Sequence, residues 1–438
     1  MKRVLIANRG EIALRILRAC RELGLETVAA YSQADSLALH LPLADDTVCI
    51  GKHSYLDSSQ IISAAMIKNC DGVHPGYGFL SESSDFALQV EEAGLCFIGP
   101  AAPHIELMGD KAKARAAMTA KGIPVLPGSD GEVTRLDDAC DCAERIGFPV
   151  MVKASHGGGG RGIQIFDDEA SLRSAFEGLR NEAEQLFGND GVYIEKWLDA
   201  PRHIEIQVFG DGNGRVIHFG ARECSIQRRH QKLLEETPPP GIPVDRIRGL
   251  ATSCCEALAD LKYSNAGTLE FLFQDGAFYF IEMNTRIQVE HPITESVTGI
   301  DLVKLQLSFA SSGHLPLVQS DICFSGHAME CRINAEGRNF QPAPGPVNQY
   351  RTPGGPGIRL DSHLYPGYVV PHQYDSLLAK LISTGSDRAE CIARMERALA
   401  EFVIGPLSTN IDLQRLILRD ARFRSGELDT HFLEGMKK

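Results

Sequence analysis

The first hundred residues alternate between short apolar runs and segments in which apolar residues recur at helical spacing. Residues 3–7 (RVLIA) and 26–32 (ETVAAYS) are typical of buried parallel strands, and residues 10–24 between them carry apolar positions on one helical face. The same order of strand and helix repeats further along the chain. The pattern therefore predicts a parallel sheet with helices on both faces, closing near residue 110.

The pattern changes beyond residue 110. A helix is expected over KAKARAAMTAKG, and the strands PVMVKAS and GIQIF then flank a run of glycines. From about residue 203 the alternation is typical of antiparallel hairpins. We expect an α/β fold, α+β overall, divided into residues 1–110, 111–330 with a small mobile lid at about 125–195, and 331–438.

Composition and charge narrow the function classes. The formal net charge of −13 argues against extended nucleic-acid binding, which favours a basic surface. The 12 cysteines form no CxxC pair, so reduced thiols are expected. No apolar run approaches the ~20 residues of a membrane span, and the first residues are too polar for a signal peptide. We expect a cytoplasmic protein.

The glycine run KASHGGGGRG, residues 153–162, admits three interpretations. Gly157, Gly159 and Gly162 satisfy GxGxxG, but a strand pattern follows where a dinucleotide-binding turn needs a helix. A plain surface hairpin is the second interpretation. The third is a flap whose backbone N–H groups cover a polyphosphate beside Lys153. His156 is expected to lie at the hinge of this flap and to point to solvent.

Two glutamates lie in the apolar strands of TLEFLFQDGAFYFIEMN. If the loop between these strands comprises the three residues 275–277, Glu270 faces Glu282 on the same side of the sheet. Facing carboxylates need compensation, and with Asn284 on the same face they would suit Mg²⁺. The alternative is that the two glutamates only pair with arginines at a rim.

Further candidate chemistry lies in two short polar segments. Arg286, Gln288 and Glu290 alternate, so on an extended segment they would point one way and could bind a small planar oxyanion, with Glu290 as base. An ordinary exposed Arg–Glu pair is the alternative. The cations of QRRHQK, residues 227–232, indicate either a solvated loop or an anion pocket.

Together these motifs resemble a known family. IANRGEIALRILRAC, HPGYGFLSE, MGDK, KASHGGGGRG, PRHIEIQV, CSIQRRHQK, EMNTRIQVEHPITE and ECRINAE follow the order found in ATP-grasp enzymes, and within them the biotin carboxylase subunits of bacterial acetyl-CoA carboxylase. The tail PHQYDSLLAKLI extends the resemblance over nearly the whole chain. RIQVEHP and RRHQK argue against other ATP-grasp ligases, such as D-alanine–D-alanine ligases or carbamoyl-phosphate-forming enzymes.

The resemblance implies a nucleotide site and a metal site. ATP would lie between the lid and the main body. The expected ATP-binding residues are Lys111, Lys153, Gly159, Gly160, Glu195, Lys196, Leu198, His203, Gln227, His230 and Glu270. Glu270, Glu282 and Asn284 would hold two Mg²⁺ ions, or Mn²⁺.

The resemblance also implies the chemistry of the reaction. Glu290 would remove the bicarbonate proton while Arg286, Gln288, Lys232 and the Val289 backbone hold the anion. Bicarbonate would attack the γ-phosphoryl group of ATP to give carboxyphosphate, whose CO2 is then transferred to biotin. Arg332 would bind biotin and stabilise its enolate-like form.

Partners follow from the same resemblance. The sequence carries no Ala-Met-Lys-Met site and no carboxyltransferase region, so biotin is expected on a separate biotin carboxyl carrier protein that also serves a separate carboxyltransferase. A homodimer is expected, with Arg15 and Arg18 at positions resembling dimer contacts; solvated helix charges are the alternative. Acetyl-CoA is the expected final acceptor, with propionyl-CoA, pyruvate and urea-type systems left open. A non-catalytic paralogue would be expected to lose Glu290, Arg286 or the metal carboxylates.

Overall fold

The computed structural model describes residues 1–52, 55–154, 163–187, 190–229, 231–337 and 339–436. These residues form two compact units. Unit 1 comprises residues 1–114, 202–271 and 282–438, and unit 2 comprises residues 115–201 and 272–281. Among the described residues, no helix combines the length and the apolar character needed to cross a bilayer.

Unit 1 begins with the predicted parallel sheet. Its elements are β1 (Arg3–Ile6), α1 (Gly10–Glu22), β2 (Glu26–Tyr31), β3 (Asp46–Cys49), α2 (Ser58–Ile67), β4 (Gly72–His74), α3 (Ser84–Glu92), β5 (Cys96–Phe97) and α4 (Ala102–Gly109). The strand order is β3-β2-β1-β4-β5, and every pair is parallel. Buried aliphatic residues from β1, β2, β4 and the helices form the core beneath it. The predicted parallel α/β arrangement is confirmed.

Unit 2 is built around a small antiparallel sheet. Its elements are α5 (Lys111–Ala120, which begins in unit 1), α6 (Leu136–Ile146), β6 (Val150–Ala154), β7 (Ile163–Phe166), α7 (Glu169–Phe187) and β8 (Val192–Lys196). The order is β7-β6-β8, with both pairs antiparallel. The two strands predicted on either side of the glycine run are confirmed. Gly159, Gly160 and His156 lie outside the described residues.

The remainder of the chain supplies the larger sheet. Its elements are β9 (Arg202–Asp211), β10 (Val216–Arg228), β11 (Gln231–Thr237), α8 (Val244–Asp260), β12 (Ser264–Gln274), β13 (Ala277–Asn284), α9 (His291–Thr298), α10 (Leu302–Ser312), β14 (His327–Asn334), β15 (Gly345–Pro346), β16 (Gln349–Arg351), β17 (Ile358–Ser362), β18 (Val369–Val370), β19 (Leu377–Gly385), α11 (Arg388–Glu401), β20 (Val403–Gly405), α12 (Ile411–Arg419) and α13 (Ala421–Ser425). Eight strands are bonded in the order β13-β12-β9-β10-β11-β14-β19-β17. The pairs from β9 through β10, β11, β14 and β19 to β17 are antiparallel.

The loop between β12 and β13 differs from its prediction. The strands end at Gln274 and begin again at Ala277, so the loop has two residues and the three-residue prediction is wrong. Asp275 and Gly276 both have positive φ, 52° and 76°, as a type I′ turn requires and as Asp-Gly favours. The argument that placed Glu270 opposite Glu282 therefore loses its basis. Burial along β13 also stops alternating at Ile281 and Glu282, both half-buried.

Gly210 in β9 lies very close to the backbone of Tyr263. A Cβ at this position would overlap the carbonyl oxygen of Tyr263 and lie 2.7 Å from its carbonyl carbon. We expect Gly210→Ala to lower the free energy of unfolding by about 1–3 kcal/mol, because backbone atoms must shift. Denaturant unfolding measures this change.

Gly249 provides the matched control. It lies within α8, and a Cβ there meets no atom within 4 Å. Gly249→Ala should raise the free energy of unfolding by about 0.5–1 kcal/mol through helix propensity. Equal effects of the two substitutions would contradict the packing described for Gly210.

Candidate active site

A buried arginine organises the polar face of the large sheet. Arg222 on β10 is fully buried and lies opposite Glu205 on β9. Its Nε donates to Glu205 at 3.0 Å, and its terminal nitrogens donate to Gln207 and Gln288, each at 2.8 Å. It also donates to Thr294 at 3.0 Å. One side chain thus connects β9 and β10 to the segment around α9, and its charge is neutralised inside the protein.

Lys232 on β11 gathers three carboxylates around its ammonium group. It pairs with Glu205, with Glu270 at 3.0 Å and with Glu290 at 2.9 Å. Burial alone would lower the pKa of Lys232, but Glu270 and Glu290 outweigh it and raise that pKa. The lysine is therefore charged at neutral pH and holds the three acidic groups together. Of the basic cluster, the neighbouring Arg229 is exposed and His230 lies outside the described residues.

Glu270 on β12 accepts hydrogen bonds from several directions. Its Oε1 accepts from Asn284 and Gln288, each at 2.8 Å, as well as from Lys232. Its Oε2 lies 3.1 Å from His203 Nε2. Burial would raise the pKa of Glu270, but Lys232 and His203 outweigh it and hold that pKa well below its ordinary value. The group is therefore a fixed anion.

Glu290 lies immediately before α9, between two cations. Its Oε1 contacts Lys232, and its Oε2 accepts from Arg332 at 3.0 Å. The Nε of Arg332 donates to Glu235 at 2.6 Å, which fixes the guanidinium plane. Burial opposes ionisation of Glu290, but Lys232, Arg332 and Arg222 hold its pKa well below the ordinary value. Glu290 is thus an ionised carboxylate whose charge is stabilised by the cations around it.

The segment that carries Arg286, Gln288 and Glu290 is not an extended strand. Residues 285–290 form bends and a turn between β13 and α9, so the predicted alternation does not apply. Gln288 and Glu290 nevertheless both reach the cluster around Lys232. Arg286 donates to Asn284 Oδ1 at 2.7 Å and to Glu82 at 2.9 Å. Arg286 is thereby joined to Glu270 through Asn284. In the same segment, the backbone carbonyl of Val289 accepts a hydrogen bond from Lys380 at 2.8 Å.

The nucleotide residues predicted in unit 2 have different surroundings. Lys153 Nζ lies 2.6 Å from Glu195, which also accepts from Arg115 at 3.0 Å. Lys196 donates instead to the backbone carbonyls of residues 147 and 148, so its side chain is already occupied. Leu198 is buried. Lys153 and Glu195 are therefore brought together, while Lys196 could contact a ligand only through its backbone.

Those predicted in unit 1 fall into two groups. His203 joins Glu270, as described above. Lys111 pairs with Glu282 at 3.1 Å, and Gln227 is half-buried and donates weakly to the carbonyl of Cys224 at 3.4 Å. The structure thus gives His203 a direct link to the cluster around Lys232. Among the predicted residues that the structure describes, Lys111 contacts Glu282 and no other.

The three predicted metal ligands have a donor chemistry suited to a hard divalent cation. Glu270 is held ionised, and Asn284 lies beside it. Glu282 is one-third exposed and pairs with Lys111, whose side chain is 77% exposed. Two carboxylates and an amide carbonyl are oxygen donors of the kind that Mg²⁺ and Mn²⁺ prefer. In donor chemistry these residues suit such an ion; in the present structure Lys111 is the counter-ion at Glu282, and the Asn284 carbonyl accepts from Arg286.

The pattern analysis missed several residues of the site. Arg222 and Glu205 are each a charged residue within an apolar strand, GARECSI and HIEIQVF. That is the same signal that identified Glu270, so it could have identified them too. Glu235 and Lys380 are equally buried in apolar strands. Their partnerships join strands that are far apart in sequence, and spacing alone does not reveal these.

Comparison with known proteins identifies the family. The model for the N-terminal domain of biotin carboxylase matches residues 1–105, and that for its C-terminal domain matches residues 330–435. Between them, the ATP-binding domain of the carbamoyl-phosphate synthase L chain matches residues 110–318. The chain belongs to the biotin carboxylase family. A biotin carboxylase from Allochromatium vinosum is 53% identical, over 100% of this chain and 98% of the relative.

Solved structures of the family resemble the chain closely. A biotin carboxylase from Campylobacter jejuni, in a beta-gamma-ATP complex, is 43% identical with a TM-score of 0.93 over 99% of each chain. The biotin carboxylase domain dimer of Hydrogenobacter thermophilus 2-oxoglutarate carboxylase, in complex with MgADP, ADP and bicarbonate, is 44% identical with a TM-score of 0.90. It covers 99% of this chain and 97% of that one. The fold is that of the biotin carboxylases.

Replacement of Arg222 tests the charge balance of the site. We expect Arg222→Met to lower the free energy of unfolding by about 3–5 kcal/mol, because Glu205 and two buried amides lose their main partner. Arg248→Met is the matched control: Arg248 is exposed, and its ion pair with Asp245 lies at the surface. It should change stability by less than about 0.5 kcal/mol. Similar losses in both variants would show that Arg222 has no special role.

Proposed function

We propose that this chain carboxylates biotin carried on a biotin carboxyl carrier protein, at the expense of ATP and bicarbonate, as the first half-reaction of acetyl-CoA carboxylase. The observation that carries the proposal is the position of Glu290. It is an ionised, fully buried carboxylate held between Lys232 and Arg332. A base beside two cations is what activation of a small oxyanion requires.

The proposed first step uses the residues around Glu290. Lys232, Arg286, Gln288 and the Val289 backbone hold bicarbonate, and Glu290 takes its proton. Bicarbonate then attacks the γ-phosphoryl group of ATP to give carboxyphosphate and ADP. Charge neutralisation and positioning dominate phosphoryl transfer, so the surrounding cations are the expected catalytic groups. The solved relatives with ATP-type nucleotides and bicarbonate support this substrate pair.

Nucleotide and metal binding are assigned to the remaining predicted residues. Glu270, Glu282 and Asn284 would hold Mg²⁺ or Mn²⁺, which supplies positive charge to the phosphate oxygens. The other residues that would bind ATP are Lys153, Glu195, Lys196, Leu198, Gly159, Gly160, Lys111, His203, Gln227 and His230. The hydrogen bonds that hold Glu270 as an anion support its part in this assignment.

Arg332 is assigned to the second step, transfer of CO2 to biotin. Its guanidinium is aligned by Glu235 and lies against Glu290. Burial would lower the pKa of Arg332, but Glu235 and Glu290 outweigh it and raise that pKa further above its ordinary value. A permanently charged, oriented guanidinium is suited to stabilise the enolate-like ureido oxygen of biotin.

Assembly and domain limits complete the proposal. We propose three domains, residues 1–110, 111–330 with a lid at about 125–195, and 331–438, which the three matched family models support.

We also propose a homodimer that works with a separate carboxyltransferase. The dimer of the Hydrogenobacter relative supports the homodimer. Arg18 is exposed and available for a dimer contact, whereas Arg15 pairs internally with Glu295. The acceptor follows the carboxyltransferase, so acyl-CoA, pyruvate and urea-type systems are alternatives.

The function is tested by measuring ADP release with free biotin as acceptor. We expect ATP cleavage to require bicarbonate, biotin and Mg²⁺ together, because the γ-phosphoryl group is transferred to bicarbonate and the CO2 of the resulting carboxyphosphate is transferred to biotin. Omission of each component in turn is the control. ADP release that ignores both bicarbonate and biotin would refute the proposed reaction.

Glu290→Gln tests the assignment of the base. The amide keeps the shape of the side chain but cannot accept the bicarbonate proton, so turnover should fall about 10²–10⁴-fold. Nucleotide affinity, measured by calorimetry, should stay within a few-fold of the wild type. Glu256→Gln is the control, because Glu256 is exposed on α8. If Glu290→Gln retained full turnover, Glu290 could not be the base.

A further inference from the structure

Two glutamates lie side by side behind Arg332. Glu235 on β11 is directly opposite Glu330 on β14, and both side chains are fully buried. Like charges directly opposite one another destabilise a sheet. Away from water, the repulsion between two ionised carboxylates is larger, and it is removed when one of them keeps its proton.

Hydrogen bonding distinguishes the two groups. Glu235 Oε1 accepts from Arg332 Nε at 2.6 Å, so Glu235 has a cation of its own. Both oxygens of Glu330 are buried without a hydrogen-bond partner among the described residues, and so is Glu235 Oε2. A proton on Glu330 would make one of its oxygens a donor, and the unpartnered Glu235 Oε2 belongs to the residue directly across the ladder. One proton therefore relieves the repulsion and can satisfy two orphaned atoms.

The cations near Glu330 are engaged elsewhere. Lys380 on β19 contacts Glu11 at 3.1 Å and donates to the Val289 carbonyl. Arg332, on the same strand as Glu330, is shared between Glu235 and Glu290. Burial raises the pKa of Glu330 well above its ordinary value of 4.5, and Glu235 adds to the shift against the opposing charge of Lys380.

The other elements packed on β14 do not supply a missing countercharge. On α9, burial and nearby cations lower the pKa of His291 well below its ordinary value, so this ring is neutral. Glu295 on the same helix pairs with Arg15 and Arg359. Tyr77, whose hydroxyl donates to Glu11, has its pKa raised by burial and by neighbouring acids that include Glu330. On the other face of β14, the apolar side chains of Met329, Cys331 and Ile333 pack in one core with α11 and α12.

We propose that Glu330 keeps its proton at neutral pH and shares it with Glu235, and that this neutral acid positions Arg332. With Glu330 uncharged, Glu235 is the anionic partner of the guanidinium on one side and Glu290 on the other. Were Glu330 ionised, a second buried anion would draw Arg332 away from Glu290. Glu330 is thus a positioning residue that acts through Arg332. Its protonation does not depend on the proposed function, whereas its consequence for turnover does.

Infrared spectroscopy of the whole protein tests the protonation. Glu330→Gln should remove the C=O stretching band of a protonated carboxylic acid at neutral pH, and Glu256→Gln, at an exposed position, should remove none. If Glu330→Gln removed only carboxylate signal, Glu330 would be ionised and the proposal would fail. This result stands whatever the activity assay gives.

Thermal unfolding provides an independent readout of the same proton. If Glu330 is protonated in the folded state, the wild type takes up a proton there on folding at neutral pH, because the unfolded carboxyl has a pKa of 4.5 and is ionised. Glu330→Gln avoids this cost, so its melting temperature should be at least that of the wild type. The advantage should shrink as the pH falls towards 4.5, where the unfolded glutamate is protonated too. A marked loss of stability at neutral pH would contradict the proposal.

Steady-state kinetics with free biotin tests the positioning. In Glu235→Gln, Glu330 loses its anionic neighbour, can ionise and can replace the missing charge, so kcat/KM should fall only a few-fold. The double variant Glu235→Gln/Glu330→Gln has no such replacement and should be about tenfold lower again. The pH at which kcat/KM falls on the acidic side of its pH profile should also be higher in Glu235→Gln, and in that variant only. A double variant no worse than Glu235→Gln, or the absence of this rise in pH, would refute the positioning role.

Discussion

The structure of the site depends on the ammonium group of Lys232. Three carboxylates, from Glu205, Glu270 and Glu290, converge on it, and all three are buried. Without a cation these groups would repel one another, and burial would drive them to take up protons. With it, Glu270 and Glu290 remain ionised. Lys232 and the buried Arg222 thus create the charge state that both proposed tasks, cation binding and proton abstraction, require.

How much of this could be predicted from the sequence depends on the range of the interaction. The parallel sheet of the first hundred residues follows from local periodicity, because each strand and helix carries its own apolar pattern. Charged residues inside apolar strands are equally local signals, and they identified Glu270 and could have identified Arg222. The contacts of Arg222 with Thr294 and Gln288, and that of Lys380 with Val289, join residues more than 40 positions apart. Such contacts are set by the order of strands in the sheet, which spacing does not encode.

At the turn formed by Asp275 and Gly276, one expected contact is present although the argument for it was wrong. Glu270 and Asn284 were expected to meet because a three-residue loop would place 270 opposite 282. The loop has two residues, yet Asn284 donates to Glu270 at 2.8 Å. Strand parity holds only while a strand keeps its alternation, and burial along β13 loses it between Ile281 and Glu282. The same limit applies to residues 285–290, where side chains converge from a turn.

Two carboxylates near Arg332 are driven to opposite protonation states by their surroundings. Glu290 faces Lys232 and Arg332 and has its pKa lowered, whereas Glu330 faces Glu235 and has its pKa raised. Burial raises the pKa of both groups; at Glu290 the charges of Lys232 and Arg332 outweigh it, whereas at Glu330 Lys380 does not, and Glu235 adds to the rise. Pairs of acids whose pKa values are pushed apart are common where an enzyme separates a base from a neutral acid. Here Arg332 joins Glu290 to Glu235, which lies opposite Glu330, so the two states are interdependent, since an anion gained on one side weakens the hold of the guanidinium on the other.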